Sequence, residues 1–244
     1  MSSFVAVYLR EMLILRRRLI RQVLGMSISP LLYMLTFGWA LGSTIAVGGR
    51  SYLQFLIPGL AAMASMTQAF AIAGEINVAR FYLHVFEEFQ AAPVSRLSFV
   101  WGEVLAGLTR ALLAIVIVLG LGWLFGVSLV YGIWFWLAIV LNSLAFASLA
   151  VALAMVVKSH ADQALLTNFV ITPMAFLGGT FFPLESLPGW AKGLLYVLPL
   201  SHASTAARAG AFGQSPGWSH YLVLGAVAAV FFILAILTVG KARD

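Results

Sequence analysis

Five long stretches of this chain carry no charged side chain: residues 22–49, 51–74, 111–157, 163–184 and 209–240. A helix rises 1.5 Å per residue, so about 20 apolar residues cross the roughly 30 Å hydrocarbon core of a bilayer. The first and second stretches each hold one crossing. The stretch 111–157 holds two, with a turn between Phe125 and Gly132. Six spans are predicted, over 24–46, 53–75, 98–125, 133–157, 163–182 and 219–240. Hydrophobic residues make up 62% of the chain and charged ones 9%, where soluble domains carry about 25% charge. The expected fold is an all-α membrane protein, one domain over 1–244, with an interfacial helix at 1–22 and a six-span bundle over 23–244.

Lysine and arginine set the orientation. An even number of spans puts both termini on one side, together with Arg10, Arg16, Arg17, Arg18, Arg21, Arg80, Arg96, Lys158, Lys241 and Arg243. Arg50, Lys192 and Arg208 fall on the other side, and Arg110 lies inside the third span. The excess marks the cytoplasmic face, so both termini are expected there. The net charge of +6 then reflects topology and gives no reason to expect nucleic acid, whose readers gather basic residues on one soluble face. The absence of cysteine excludes disulfides and thiolate chemistry. A basic lead of this length, followed by a long apolar run, does not read as a cleaved signal.

The block from Thr172 to Gly213 fits neither water nor a plain span. Pro173, Pro183, Pro188 and Pro199 interrupt it, and Glu185, Lys192, His202 and Arg208 are its polar groups. Proline inside a helix removes a donor and costs about 3 kcal/mol, so several short pieces are expected. Irregular backbone at membrane depth persists only inside protein or beside a water-filled cavity. The block is therefore a candidate gate on the outer side. Its Phe176, Phe181, Phe182, Trp190 and Tyr196 would form an apolar seal, and His202 and Arg208 a polar lip.

Three further segments carry candidate sites. Over residues 2–22, Phe4, Tyr8, Met12, Leu15 and Leu19 share one helical face, and Arg10, Arg17 and Arg21 lie opposite, as in a helix lying on a membrane surface. Such a helix serves as a topology anchor attracting anionic lipid, or as a lever against a cytosolic partner. In the loop from Glu75 to Ser98, Phe81, Tyr82, Phe86 and Phe89 mix with Glu87 and Glu88. These aromatics lie on lipid or dock in a partner's groove, and Pro93 ends any helix over 80–91. Arg110 sits about 18 Å into its span, where a charge costs at least about 2.5 kcal/mol. It either pairs with Glu103 or Glu75, or meets an anionic headgroup in a transport path. The four histidines lack carboxylates at ligand spacing, so no metal site is expected. There is no G-x-x-x-x-G-K-[ST] phosphate loop, G-x-S-x-G elbow or H-E-x-x-H. The chain is thus not expected to bind ATP by that route, and no catalytic residue is assigned. A membrane-embedded lipid-modifying enzyme using His202, Glu185 and Arg208, or an assembly factor of a membrane complex, remain as alternative functions.

Residues 171–213 contain Pro173, Gly178-Gly179, Phe181-Phe182-Pro183, Leu187-Pro188-Gly189-Trp190, Pro199-Leu200-Ser201-His202 and Arg208. This string resembles the signature block of type-2 ABC transporter permeases, in the branch of nodulation-factor, polysaccharide and drug exporters. Residues 87–96, EEFQAAPVSR, resemble the family's cytoplasmic coupling segment, with His84-Val85-Phe86-Glu87 in place of the more usual basic lead. The resemblance implies a homodimer of six-span permeases in a bacterial inner membrane, each bound to a separate cytosolic ATPase that carries ATP and Mg. It implies contact with that ATPase through Arg10, Arg17, Arg21, Phe86, Glu87, Glu88, Phe89, Pro93 and Arg96. It further implies short re-entrant helices over 178–212 on the outer side between spans five and six. The implied cargo is amphipathic: a glycolipid, a lipid-linked polysaccharide or a drug.

Overall fold

The computed structural model describes residues 3–39, 46–82, 94–215 and 217–241. Helix α1 covers Ser3–Arg17 and α2 Leu19–Tyr33. Between them Arg18 leaves helical geometry, at φ −114° and ψ 13°. Arg16, Arg17 and Arg18 are all exposed, so the chain turns where three charged heads can stay hydrated. The expected helix over 2–22 is thus two pieces, and Arg21 belongs to the first turn of a span. Helix α2 runs on as a π-helical segment, Met34–Trp39.

A small hairpin follows, β1 Ala46–Val47 against β2 Arg50–Ser51. Its turn places Gly48 at φ 59° and Gly49 at φ 75°, left-handed values that glycine adopts without steric cost. Ser51 then caps α3, Tyr52–Phe70: its hydroxyl accepts from the Gln54 amide while the Gln54 side chain accepts from the Ser51 amide. These reciprocal bonds satisfy two orphan donors of the first turn. After a bend at Ala71 the chain continues as α4, Ile72–Phe81. Helix α5 spans Arg96–Leu124 and α6 Ile133–Val156.

The next run is α7, His160–Leu166, a π-helical segment Thr167–Ile171, and α8, Thr172–Leu177. The proline-rich block breaks as its prolines dictate, into a 3-10 turn Leu184–Ser186, α9 Gly189–Leu195 and α10 Pro199–Ala211. Pro199 stands in the first turn of α10, where its missing N–H costs nothing. Helix α11, Trp218–Lys241, closes the described chain.

Among the described residues five helices are long and apolar enough to cross a membrane: Leu19–Gly38, Tyr52–Phe81, Arg96–Leu124, Ile133–Val156 and Trp218–Lys241. The stretch expected as a further span, 163–182, lies largely within the helical run His160–Leu177. Asp162, Gln163 and Asn168 make its first turns too polar to match the others.

The composite α3–α4 span is the central one, and most of its residues are buried. Helices α2 and α11 sit at the periphery, with Ile28, Leu32, Leu222, Ile233 and Leu237 exposed. In lipid such side chains need no cover, and helices associate instead through close backbone approach at small residues. Gly107 of α5 shows this: a Cβ there would stand 2.8 Å from the Ala147 Cβ and 3.1 Å from the Ala69 carbonyl. At one end of α5, Gly102 packs on Val7 of α1; at the other, Gly122 packs on Ile57 of α3. Twenty residues of helix, about 30 Å, separate these contacts, so the bundle has an α1 end and a hairpin end.

Candidate functional site

At the α1 end, α1 lies against α5. Its buried stripe is Val7, Glu11 and Leu15, while Phe4 and Leu13 are exposed. The expected apolar face is rotated, because Gly102 draws Val7 inward: a Cβ on Gly102 would stand 2.6 Å from the Val7 Cβ. The Tyr8 hydroxyl also meets Thr109 Oγ1 at 3.1 Å.

Glutamate therefore occupies the centre of the buried face. Arg10 Nη1 donates to Glu11 Oε1 at 2.7 Å. Burial pushes the Glu11 carboxyl above the ordinary carboxylate range; Arg10 pulls it back, Glu75 pushes it further up and Arg110 pulls it back. Arg110 is buried and donates to Glu75 Oε1 at 3.2 Å. Of the two partners considered from sequence, then, Glu75 holds Arg110. Glu103 is fully enclosed, and its Oε2, the Glu11 Oε2 and the Arg110 Nε have no hydrogen-bond partner among the described residues.

The remaining candidates for contact with an ATPase divide in two. Arg17 and Arg21 are exposed beside the α1–α2 break. Arg96 opens α5 with its guanidinium against Gly240 of α11. Phe86, Glu87, Glu88, Phe89 and Pro93 lie outside the described residues.

Toward the hairpin end, four rings from three segments converge. Phe176 of α8 stacks on Phe181 at 5.3 Å between centroids; Tyr33 meets Phe181 at 5.0 Å and Phe176 at 6.2 Å, and Phe37 lies 5.3 Å from Phe181. Such offset and edge contacts are each worth about 0.5–1.5 kcal/mol beyond burial. The Tyr52 hydroxyl donates to the Phe181 carbonyl at 2.6 Å and ties the cluster to the start of α3. Tyr33 and Phe176 also line a cavity of ≈260 Å³ between α2, α3, α5 and α8, with Met63, Thr67 and Gln68. Of the five aromatics assigned to a seal, Phe176 and Phe181 meet here. Phe182 is half-buried and takes no ring partner among the described residues, and Trp190 is 79% exposed.

Tyr196 belongs instead to a polar lock. Its carbonyl stands 2.8 Å from His202 Nε2, and His202 Nδ1 stands 3.0 Å from His220 Nδ1. A carbonyl only accepts, so His202 carries its proton on Nε2, and His220 Nδ1–H donates to His202 Nδ1 in the neutral pair. This joins α10 to the first turn of α11. Arg208 donates from Nε to the Phe55 carbonyl at 3.2 Å and from Nη2 to the Gly179 carbonyl at 2.8 Å, with its Cζ 3.8 Å over the Phe55 ring.

Tyr33, Phe37, Tyr52 and His220 were not singled out from sequence. Tyr33 and Phe37 stand four residues apart on one span, a spacing that puts both rings on one helix face. The Tyr52 and His220 contacts span 129 and 18 residues, and no local pattern marks them.

Apolar spans around a central helix, with a proline-broken end where four aromatic rings meet, define a multi-pass membrane protein. The family model for the ABC-2 type transporter matches residues 2–212, and the chain belongs to that family. It is 33% identical over 190 residues to the inner membrane transport permease YadH of Escherichia coli K12, covering 76% of this chain and 73% of that protein. Nodulation protein J of Rhizobium meliloti is 32% identical over 211 residues, 82% and 78% of the two chains. The daunorubicin resistance ABC transporter permease protein DrrB1 of Streptomyces coeruleorubidus is 25% identical over 227 residues, 91% and 80%. The chain is accordingly a membrane transport subunit.

Proposed function

We propose that this chain is the permease of an ATP-driven exporter that moves an amphipathic molecule out of the cytoplasm or the inner leaflet. The observation that carries this reading is the family match across residues 2–212. The daunorubicin-resistance relative supports a drug as cargo; a glycolipid and a lipid-linked polysaccharide are the other amphipathic candidates. Two copies pair in a bacterial inner membrane, termini toward the cytoplasm, as the basic residues favour. Two cytosolic ATPase subunits bind them, and ATP and Mg reside on those subunits.

In this reading the exposed arginines at the α1–α2 break, Arg96 and the stretch of sequence carrying Glu87 and Glu88 receive the motion of the ATPase. Glu11 lets α1 pass that motion into α5, because it couples α1 to the carboxylates and to Arg110 beneath it. Arg110 serves as an internal strut through Glu75, and the ring cluster of Tyr33, Phe37, Phe176 and Phe181 closes the far end. Separating those rings would open the ≈260 Å³ cavity toward the hairpin end.

The test is reconstitution with the ATPase encoded beside this chain, scoring hydrolysis stimulated by amphipathic compounds. Deletion of residues 80–92 is expected to abolish assembly with the ATPase. Assembly that survives the deletion, or activity of the chain without any ATPase, would sink the proposal.

A further inference from the structure

At the hairpin end, β2, the start of α3, the corner at Pro183-Leu184 and the last turns of α10 enclose a second cavity, of ≈300 Å³. Two arginines line it, Arg50 from β2 and Arg208 from α10; Thr205 and Gln214 add uncharged polar groups, and Val47 and Leu184 an apolar wall. Each guanidinium is backed by a ring. Arg50 Cζ lies 4.0 Å over Phe212, as Arg208 Cζ lies 3.8 Å over Phe55. The five N–H donors of a guanidinium lie in its plane, so a ring against its face consumes none of them. Arg208 uses two to grip the Phe55 and Gly179 carbonyls, which fixes it in the wall. The Arg50 side chain makes no hydrogen bond or ion pair among the described residues, and no carboxylate lines the cavity among them.

We propose that this cavity binds an oxyanion headgroup, a phosphate in the first instance, with Arg50 as the principal ligand and Arg208 as the anchored second cation. The planar fork of arginine matches phosphate geometry. The volume corresponds to roughly ten waters at the density of the liquid, enough for a headgroup and too little for acyl chains. The apolar wall of Val47 and Leu184 suits the stem of an amphiphile. That the ligand is cargo rests on the export reading; binding itself is measured on the permease alone.

The chain contains no cysteine, so Gln214→Cys gives a single reporter at the exposed rim. The purified full chain in dodecyl maltoside is labelled with an impermeant maleimide, alone, with dodecyl phosphate, or with inorganic phosphate. Dodecyl phosphate is expected to slow labelling about tenfold, the effect of roughly one charge-assisted contact. Adding Arg50→Gln should restore the unprotected rate, and Arg50→Lys, which keeps charge without the fork, should give partial protection. Equal protection by inorganic phosphate would support the oxyanion site and identify a free anion as its ligand. Absence of protection, or protection that persists in the Arg50→Gln chain, overturns the proposal. Because Arg50 lies on a surface hairpin, elution of that variant as wild type confirms that its fold is intact. Protection in a chain that exports nothing would fault the export reading and leave this site standing.

Discussion

At the α1 end, three carboxylates and two arginines share the junction of α1, α4 and α5, whereas at the hairpin end Arg208 rests on a phenyl ring and backbone carbonyls. The first arrangement leaves polar atoms of Glu11, Glu103 and Arg110 without partners among the described residues. The second fixes its cation with two hydrogen bonds and a ring. A partly satisfied network in a low-dielectric site responds strongly to one proton or one displaced side chain; a satisfied one rigidifies its surroundings. By that criterion the α1 junction is the more sensitive to a change of charge, while Arg208 holds its own neighbours in place.

The largest effect that would break this contrast is Gly210→Val. A Cβ there would stand 2.5 Å from the Phe135 amide nitrogen, and backbone cannot yield as a side-chain tip does. A loss of about 3 kcal/mol is expected, read as a fall in the detergent melting temperature; an unchanged value would mean that α10 and α6 are not rigidly apposed. Next is Arg208→Met, which removes two bonds to carbonyls and a cation–π contact. At least about 2 kcal/mol should be lost, read as a fall in the same melting temperature.

Glu11→Gln probes the responsive end. The folded-state pKa of Glu11 is raised above its unfolded value, so its contribution is fully present below the ordinary carboxylate range and is lost as pH rises through the raised value. Wild-type stability should therefore decline over that window, and the Gln variant should show a flatter profile. Parallel profiles for the two proteins would remove Glu11 from the account. The smallest effect belongs to Trp190→Ala. With the ring 79% exposed, stability should change by no more than about 0.5 kcal/mol; a large loss would mean that Trp190 is covered in the assembled protein.

Much of the bundle was legible in the uncharged runs, because a bilayer forbids charge over the length of a span, and that constraint is local. Pro183, Pro188 and Pro199 likewise announced the breaks after α8, since a missing N–H acts within one turn, whereas Pro173 sits in the first turn of α8 without breaking the run. The face of α1 was not legible. A helical wheel ranks Glu11 as polar and places it outside; it is inside because Glu75, Glu103 and Arg110 arrive from segments far along the chain. The pairing of Tyr33 and Phe37 with Phe181 was hidden for the same reason. Arg50, alone between two uncharged runs, was visible in sequence, but its ring partner Phe212 is supplied by the far end of the chain.

The hydrogen bonds at the hairpin end also set an order of construction. Tyr52 waits for Phe181, and the Phe55 carbonyl waits for Arg208, across 129 and 153 residues. During synthesis at roughly 5–20 residues per second, the central helix enters the membrane many seconds before its partners exist. A chain truncated before Phe181 would carry inserted spans whose hairpin end neither bond has yet stitched, and one truncated between Phe181 and Arg208 would have only the first.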